Sequence, residues 1–194
     1  MKKIKYLIIG LFSVFLLGCA TNRGIINPNN PNIEFVRNNQ GVLIRTLDRD
    51  VKLFIPSPNM RAVNERGGGG QNNPNYFYFV DRNVRGISTE LHFSGWLLPI
   101  EKFKYDHVAE FWLEVYGESY IFNHDIREVD NWQAFLFDVP VPPTFVGVSS
   151  SHMRANLLHG DTWIDLHLSI TDRRPSEVLH NILFDYLKTL EIIN

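Results

Sequence analysis

The sequence predicts an α+β domain in which an antiparallel β-sheet is covered by two main helices, a layered sandwich. Three observations predict it. Short runs of alternating or β-rich composition succeed one another through most of the chain, and hairpin turn signals join several of them. One central and one C-terminal segment switch to apolar residues at helical spacing. Strands joined by hairpins, with the helices apart in sequence, layer as an antiparallel sheet rather than as the parallel sheet of βαβ units.

The chain opens with an address. Lys2, Lys3 and Lys5 precede an apolar run, residues 6–17, which is shorter than the about 20 residues a membrane-spanning helix needs. That is the plan of a secretory signal peptide, predicted over residues 1–18. Its last residues and the one that follows, Leu16, Leu17, Gly18 and Cys19, resemble the lipobox of bacterial lipoproteins. The resemblance covers about the first 20 residues and implies cleavage before Cys19, lipidation of its sulfur, and attachment to a membrane through that lipid. Ala20 follows where an aspartate would favour inner-membrane retention, which points to the outer membrane of a Gram-negative envelope, facing the periplasm.

Composition bounds what is tethered. The length of 194 residues suits one well-buried domain once the leader is removed. The formal net charge is -2 and becomes more negative when the leader lysines go, which leaves no basic field for nucleic acid or anionic lipid. Cys19 is the only cysteine, so with it acylated there is no thiol for a disulfide, a zinc site or a nucleophile. No cofactor is expected.

Residues 19–32 form the lipidated cysteine and an Asn- and Pro-rich tether that reaches roughly 20 Å. The domain is expected over residues 33–194. Residues 42–46 and 51–56 read as a hairpin around Asp48, Arg49 and Asp50. Residues 57–75 contain Gly67 to Gly70 and few apolar positions, the composition of a long surface loop; no Gly-Lys-Ser/Thr follows the glycines, so a phosphate cradle is disfavoured.

Strands are expected at 76–80 and 87–97, with Ile87, Thr89, Leu91 and Phe93 on one side and the alternation broken at Gly95 and Trp96. Val108, Phe111, Trp112 and Val115 then repeat at helical spacing, predicting a helix over 104–116 that stops at Gly117. Residues 119–122 are expected as a strand and 123–125 as a turn. Another strand is expected at 132–139, taken as an edge or a crossing because Pro140, Pro142 and Pro143 follow it, and a short one at 144–149. In the final helix Leu179, Ile182, Leu183, Tyr186, Leu187 and Leu190 make a wide apolar stripe behind Pro175.

The most informative stretch is 151–171. Gly160 and Asp161 between two alternating runs predict a type II′ hairpin, which sets Leu157 opposite Ile164, Ala155 opposite Leu166 and Met153 opposite Leu168 on the buried side. The other side then gathers Arg154, Asn156, Asp165 and His167, with Trp163 at the rim. These five residues are the candidate binding face. In composition, Asp165, His167 and Ser169 suggest a hydrolase triad, yet they stand about 6.5–7 Å apart per step along one strand. A metal site from Asp165, His167 and His92 or His152 is possible across strands, but ligand spacings are absent and no metal ligand is assigned. The favoured arrangement pairs Arg154 with Asp165 diagonally while Asn156 and His167 complete a polar ladder.

The succession of elements over 42–193 is similar to that of the PsbP-like and DcrB-like α/β/α sandwiches, some of them bacterial envelope lipoproteins. That resemblance implies a non-enzymatic binding or accessory module, and no site residue is carried over from it. The expected function is therefore a lipid-anchored envelope protein that binds an envelope protein or small ligand. The rival readings are a periplasmic hydrolase or metal-binding enzyme using the Asp165 and His167 face, and a secretion-system accessory or immunity factor.

Overall fold

The computed structural model describes residues 25–26, 32–47, 49–63, 75–102, 108–117 and 119–193. The leader, Cys19, most of the tether, Gly67 to Gly70 and the first turn of the helix expected from Lys104 lie outside the described residues. In chain order the strands are β1 (Ile25–Ile26), β2 (Ile33–Arg37), β3 (Val42–Thr46), β4 (Lys52–Ile55), β5 (Arg61–Ala62), β6 (Tyr76–Asp81) and β7 (Leu91–Pro99). After helix α1 (Val108–Tyr116) come β8 (Phe122–Val129), β9 (Trp132–Val139), β10 (Ser149–His159) and β11 (Thr162–Asp172). Helix α2 (Ser176–Leu187) and β12 (Glu191–Ile193) follow.

The α+β class holds, but one sheet becomes two. A five-stranded sheet runs β1-β2-β3-β4-β12 and a seven-stranded sheet runs β5-β6-β7-β11-β10-β9-β8, with every neighbouring pair antiparallel. The split has a physical cause. The free edge of β4 is taken by β12, with Ile192 opposite Leu53, so the strands that follow residue 57 begin a separate ladder. β1 also extends the small sheet into the stretch expected as tether, pairing Ile25 with Phe35.

One core lies between the sheets. Ile33, Ile44, Leu53 and Ile55 of the small sheet meet Phe77, Phe93, Leu136, Met153 and Leu166 of the large one, and Leu179, Leu183 and Leu187 of α2 complete it. Phe35 and Phe79 meet edge to face at 4.9 Å, the arrangement that ring quadrupoles favour. Because neighbours on a strand point to opposite faces, Phe135 and Phe137 leave this core and pack under α1 with Ala109 and Trp112. The large sheet therefore has α2 and the small sheet on one face and α1 on the other.

Several expected boundaries shift for identifiable reasons. β7 starts at Leu91 rather than 87, because the Ser88 amide and hydroxyl both donate to Asp172 Oδ2 at 2.8 Å and tie that segment to the end of β11. Its alternation does not break at Gly95: Leu91, Phe93, Gly95 and Leu97 are all buried. The glycine is needed there, since a Cβ would stand 2.4 Å from the Asp165 carbonyl oxygen. Residues 123–125 are not a turn. β8 runs through them with a bulge between Phe122 and Asp125, and Asn123 takes φ 50°.

β9 is no edge, because β8 lies outside it, and residues 144–148 form a loop closed by Phe145 N donating to Pro142 O rather than a strand. The buried side of α1 is Ala109 and Trp112, with Leu113 and Tyr116 partly buried. Val115, expected on that stripe, is 53 % exposed. The hairpin of β10 and β11 has the predicted register throughout, and Gly160 has φ 59°.

Candidate functional site

The β10–β11 register dictates which side chains share the α1 face of the large sheet. Reading across β7, β11, β10 and β9, one row is His92, Ser169, His152 and Phe137, and the next is Ser94, His167, Arg154 and Phe135. A third is Trp96, Asp165, Asn156 and Gln133. All five sequence-predicted residues thus fall on this face; four are buried and His167 is half-buried. Asp165 is 4 % exposed and Arg154, Asn156 and Trp163 are each 7 % exposed. α1 supplies the cover through Trp112 and Tyr116.

The expected ladder is rearranged. Arg154 forms no ion pair with Asp165; its guanidinium carbon lies 3.8 Å from the centre of the Trp112 ring, a cation–π contact. Its Nε and Nη2 both donate to the Tyr116 hydroxyl, at 3.2 and 2.8 Å. With the Asn156 amide turned to satisfy its neighbours, its nitrogen donates to Asp165 Oδ1 at 3.2 Å and its oxygen accepts from the Trp163 indole at 3.1 Å. Stacking on α1 takes the guanidinium away from the carboxylate, and the amide takes its place. Burial pushes the Asp165 carboxyl up to about 7, with the Arg154 charge pulling the other way.

His167 pairs with His152 instead of Asn156. Their rings stack at 5.3 Å and His152 Nδ1 lies 3.0 Å from His167 Nε2. Burial first, and then the charge of Arg154, lowers His152 to about 4 and His167 well below the ordinary histidine value. Both rings are therefore neutral near pH 7, one donating and one accepting. His152 Nε2 continues to Ser150 Oγ at 3.1 Å, and Ser150 to Thr171 Oγ1 at 3.1 Å. His92 is engaged separately, with the Tyr78 hydroxyl at its Nδ1 and Glu90 Oε1 3.6 Å from its Nε2. Among the described residues no group of three His, Cys, Asp or Glu side chains is placed to hold a metal ion. Asp165 accepts its hydrogen bond from Asn156 and not from His167, so the triad order is not assembled.

No protein-family model matches this chain, and no curated protein does. Among solved structures it is similar to the Ran-binding protein Mog1p of Saccharomyces cerevisiae, at 10 % identity and TM-score 0.48, covering 79 % of this chain and 96 % of that one. A point mutant of protein Mog1 gives 9 % identity and TM-score 0.47, over 82 % of this chain and 95 % of that one. No residue role is transferred from either.

Two further polar clusters escaped the sequence reading. On the opposite face of the sheet, Asp138 Oδ1 accepts from Ser151 Oγ at 2.6 Å and lies 3.1 Å from His180 Nε2, while Asn123 Nδ2 donates to its Oδ2 at 3.0 Å. Serine, histidine and aspartate meet here, yet the serine and the histidine both bond the same carboxylate oxygen, so the histidine is not positioned to activate the serine. The legible signal was His180 inside the apolar stripe of α2. The other cluster walls a cleft of about 450 Å³ lined by Pro56, Ser57, Asp81, Arg85, Ile182 and Tyr186, among others. Asp81 accepts there from Ser57 Oγ, from the Tyr186 hydroxyl at 3.3 Å and from Asn83 N at 2.9 Å. Burial and the nearby Asp81 charge push the Tyr186 hydroxyl strongly up, so it stays protonated.

Proposed function

We propose that the protein is a bacterial lipoprotein, anchored through Cys19 to the outer membrane and facing the periplasm, whose domain is a non-enzymatic binding or accessory module. The anchor rests on the Leu16, Leu17, Gly18, Cys19 motif. The antiparallel sheet with helices on both faces supports the likeness to the PsbP-like and DcrB-like sandwiches. The binding role rests on one observation: the acid–base groups of the α1 face are occupied with one another, whereas the guanidinium of Arg154 is buried among them with hydrogen-bonding capacity unspent.

Fractionation tests the anchor. Full-length protein is expected in the membrane fraction, and Cys19→Ser in the soluble periplasmic fraction with an unchanged unfolding temperature; a variant that stays in the membrane would exclude the lipid as the attachment. For the domain, fractionated envelope extract should contain a component that raises the unfolding temperature by several degrees. Turnover of ester, amide or phosphoester substrates that is lost in His167→Ala would instead establish the hydrolase reading.

A further inference from the structure

Arg154 carries a permanent positive charge beneath α1. Among the described residues no carboxylate lies within ion-pair distance of it. Its Nη1 is buried and has no hydrogen-bond partner there. Two more N–H groups share this condition, the indole nitrogens of Trp96 and Trp112. Both rings lie against the same guanidinium, with centres 5.8 and 3.8 Å from its central carbon. All three groups are donors, and none can accept from another. Native interiors pair such groups, and a buried cation in particular requires a counter-charge.

We infer that the cluster of buried donors beneath α1 binds a small carboxylate, whose oxygens accept from Arg154 Nη1 and from the Trp96 and Trp112 indoles and whose carbon tail lies against the aromatic rings. The inference rests on the binding reading above and names the ligand class for the same face. Water would satisfy the donors and leave the charge uncompensated. A dianion would place a second negative charge beside Asp165, and the ring walls offer it nothing, whereas a monoanion with an apolar end matches one guanidinium lined by Trp96, Trp112 and Tyr116. Size is limited by the cover, since Trp112 is itself buried.

The test titrates the full chain in detergent with sodium acetate and sodium butyrate, against sodium chloride and sodium phosphate at matched ionic strength and pH, reading unfolding temperature and tryptophan emission. The carboxylates should raise the unfolding temperature by several degrees, butyrate at lower concentration than acetate. Arg154→Met, which exchanges the buried charge for an apolar chain, should fold and lose the rise. Should it not fold, Trp112→Phe keeps a ring and removes one N–H, and should shift half-saturation about tenfold upward. A response to carboxylates no larger than to chloride, a response to phosphate alone, or unaltered half-saturation in Trp112→Phe would overturn the inference. Stabilisation by envelope fractions without any by carboxylates sinks this inference and leaves the binding reading standing; stabilisation by neither sinks both.

Discussion

Asp138 and Asp165 sit on opposite faces of one sheet and are moved in opposite directions. Burial alone would raise Asp138, but hydrogen bonds from His180, Ser151, Ser176 and Asn123 outweigh it and hold the carboxyl down at about 2. Its folded value lies below the unfolded one, so the stabilisation is present above about pH 4 and is lost as pH falls through about 2. Asp138→Asn should therefore cost about 2 kcal/mol at pH 7, and the deficit should shrink toward pH 2 in urea unfolding curves. Asp165 is raised, so its contribution is full below about pH 4 and disappears as pH rises through about 7. The lowered His152 acts with the opposite sign, its contribution present above about pH 6.5 and lost as pH falls through about 4. The two oppose each other between pH 4 and 6.5. Asp165→Asn should consequently steepen the loss of stability with acid in that window, and an unchanged slope would contradict the burial of the carboxyl. Gly95 belongs to this scale too. Its missing Cβ lets Leu166 Cδ2 and Phe77 Cζ approach to 2.9 Å of that position, so Gly95→Ala should cost about 2 kcal/mol by denaturant titration.

Among the elements, those whose pattern is local were legible and those set by distant partners were not. The β10–β11 hairpin was readable because one glycine fixes its turn and alternation fixes its register. α2 was readable because its stripe is long and unbroken. β8 was missed because nearly all its residues are exposed on an edge, which removes the alternation that reports a buried face. The α1 stripe was misplaced by one residue, since Val115 and Ala109 exchange roles only when the aromatic pair Phe135 and Phe137 is known to lie beneath. The register that brings Arg154, Asn156, Asp165 and His167 to one face was legible in the hairpin, while the burial of that face and the capture of Arg154 by Tyr116 depend on where α1 docks, which no local pattern states. One missed turn offers a test. Asp130 and Asn131 both have positive φ, 48° and 70°, the geometry of a type I′ hairpin. Asn131→Gly should leave stability unchanged or raise it slightly, and Asn131→Val should cost about 1–2 kcal/mol, measured as the shift in denaturation midpoint at constant slope.

The whole molecule is two sheets sharing one core, and its small sheet is finished by residues from the far end of the sequence. β12 pairs with β4 by Glu191 against Phe54 and Ile193 against Lys52. Contacts of that sequence separation form slowly, because a long loop must close before any hydrogen bond rewards it. Until residues 191–193 are in hand, β4 has an unpaired edge beside an open hydrophobic face, the feature that promotes association between unfinished chains. The small sheet therefore stays unfinished until the last residues of the chain have joined it, however much of the large sheet has already formed.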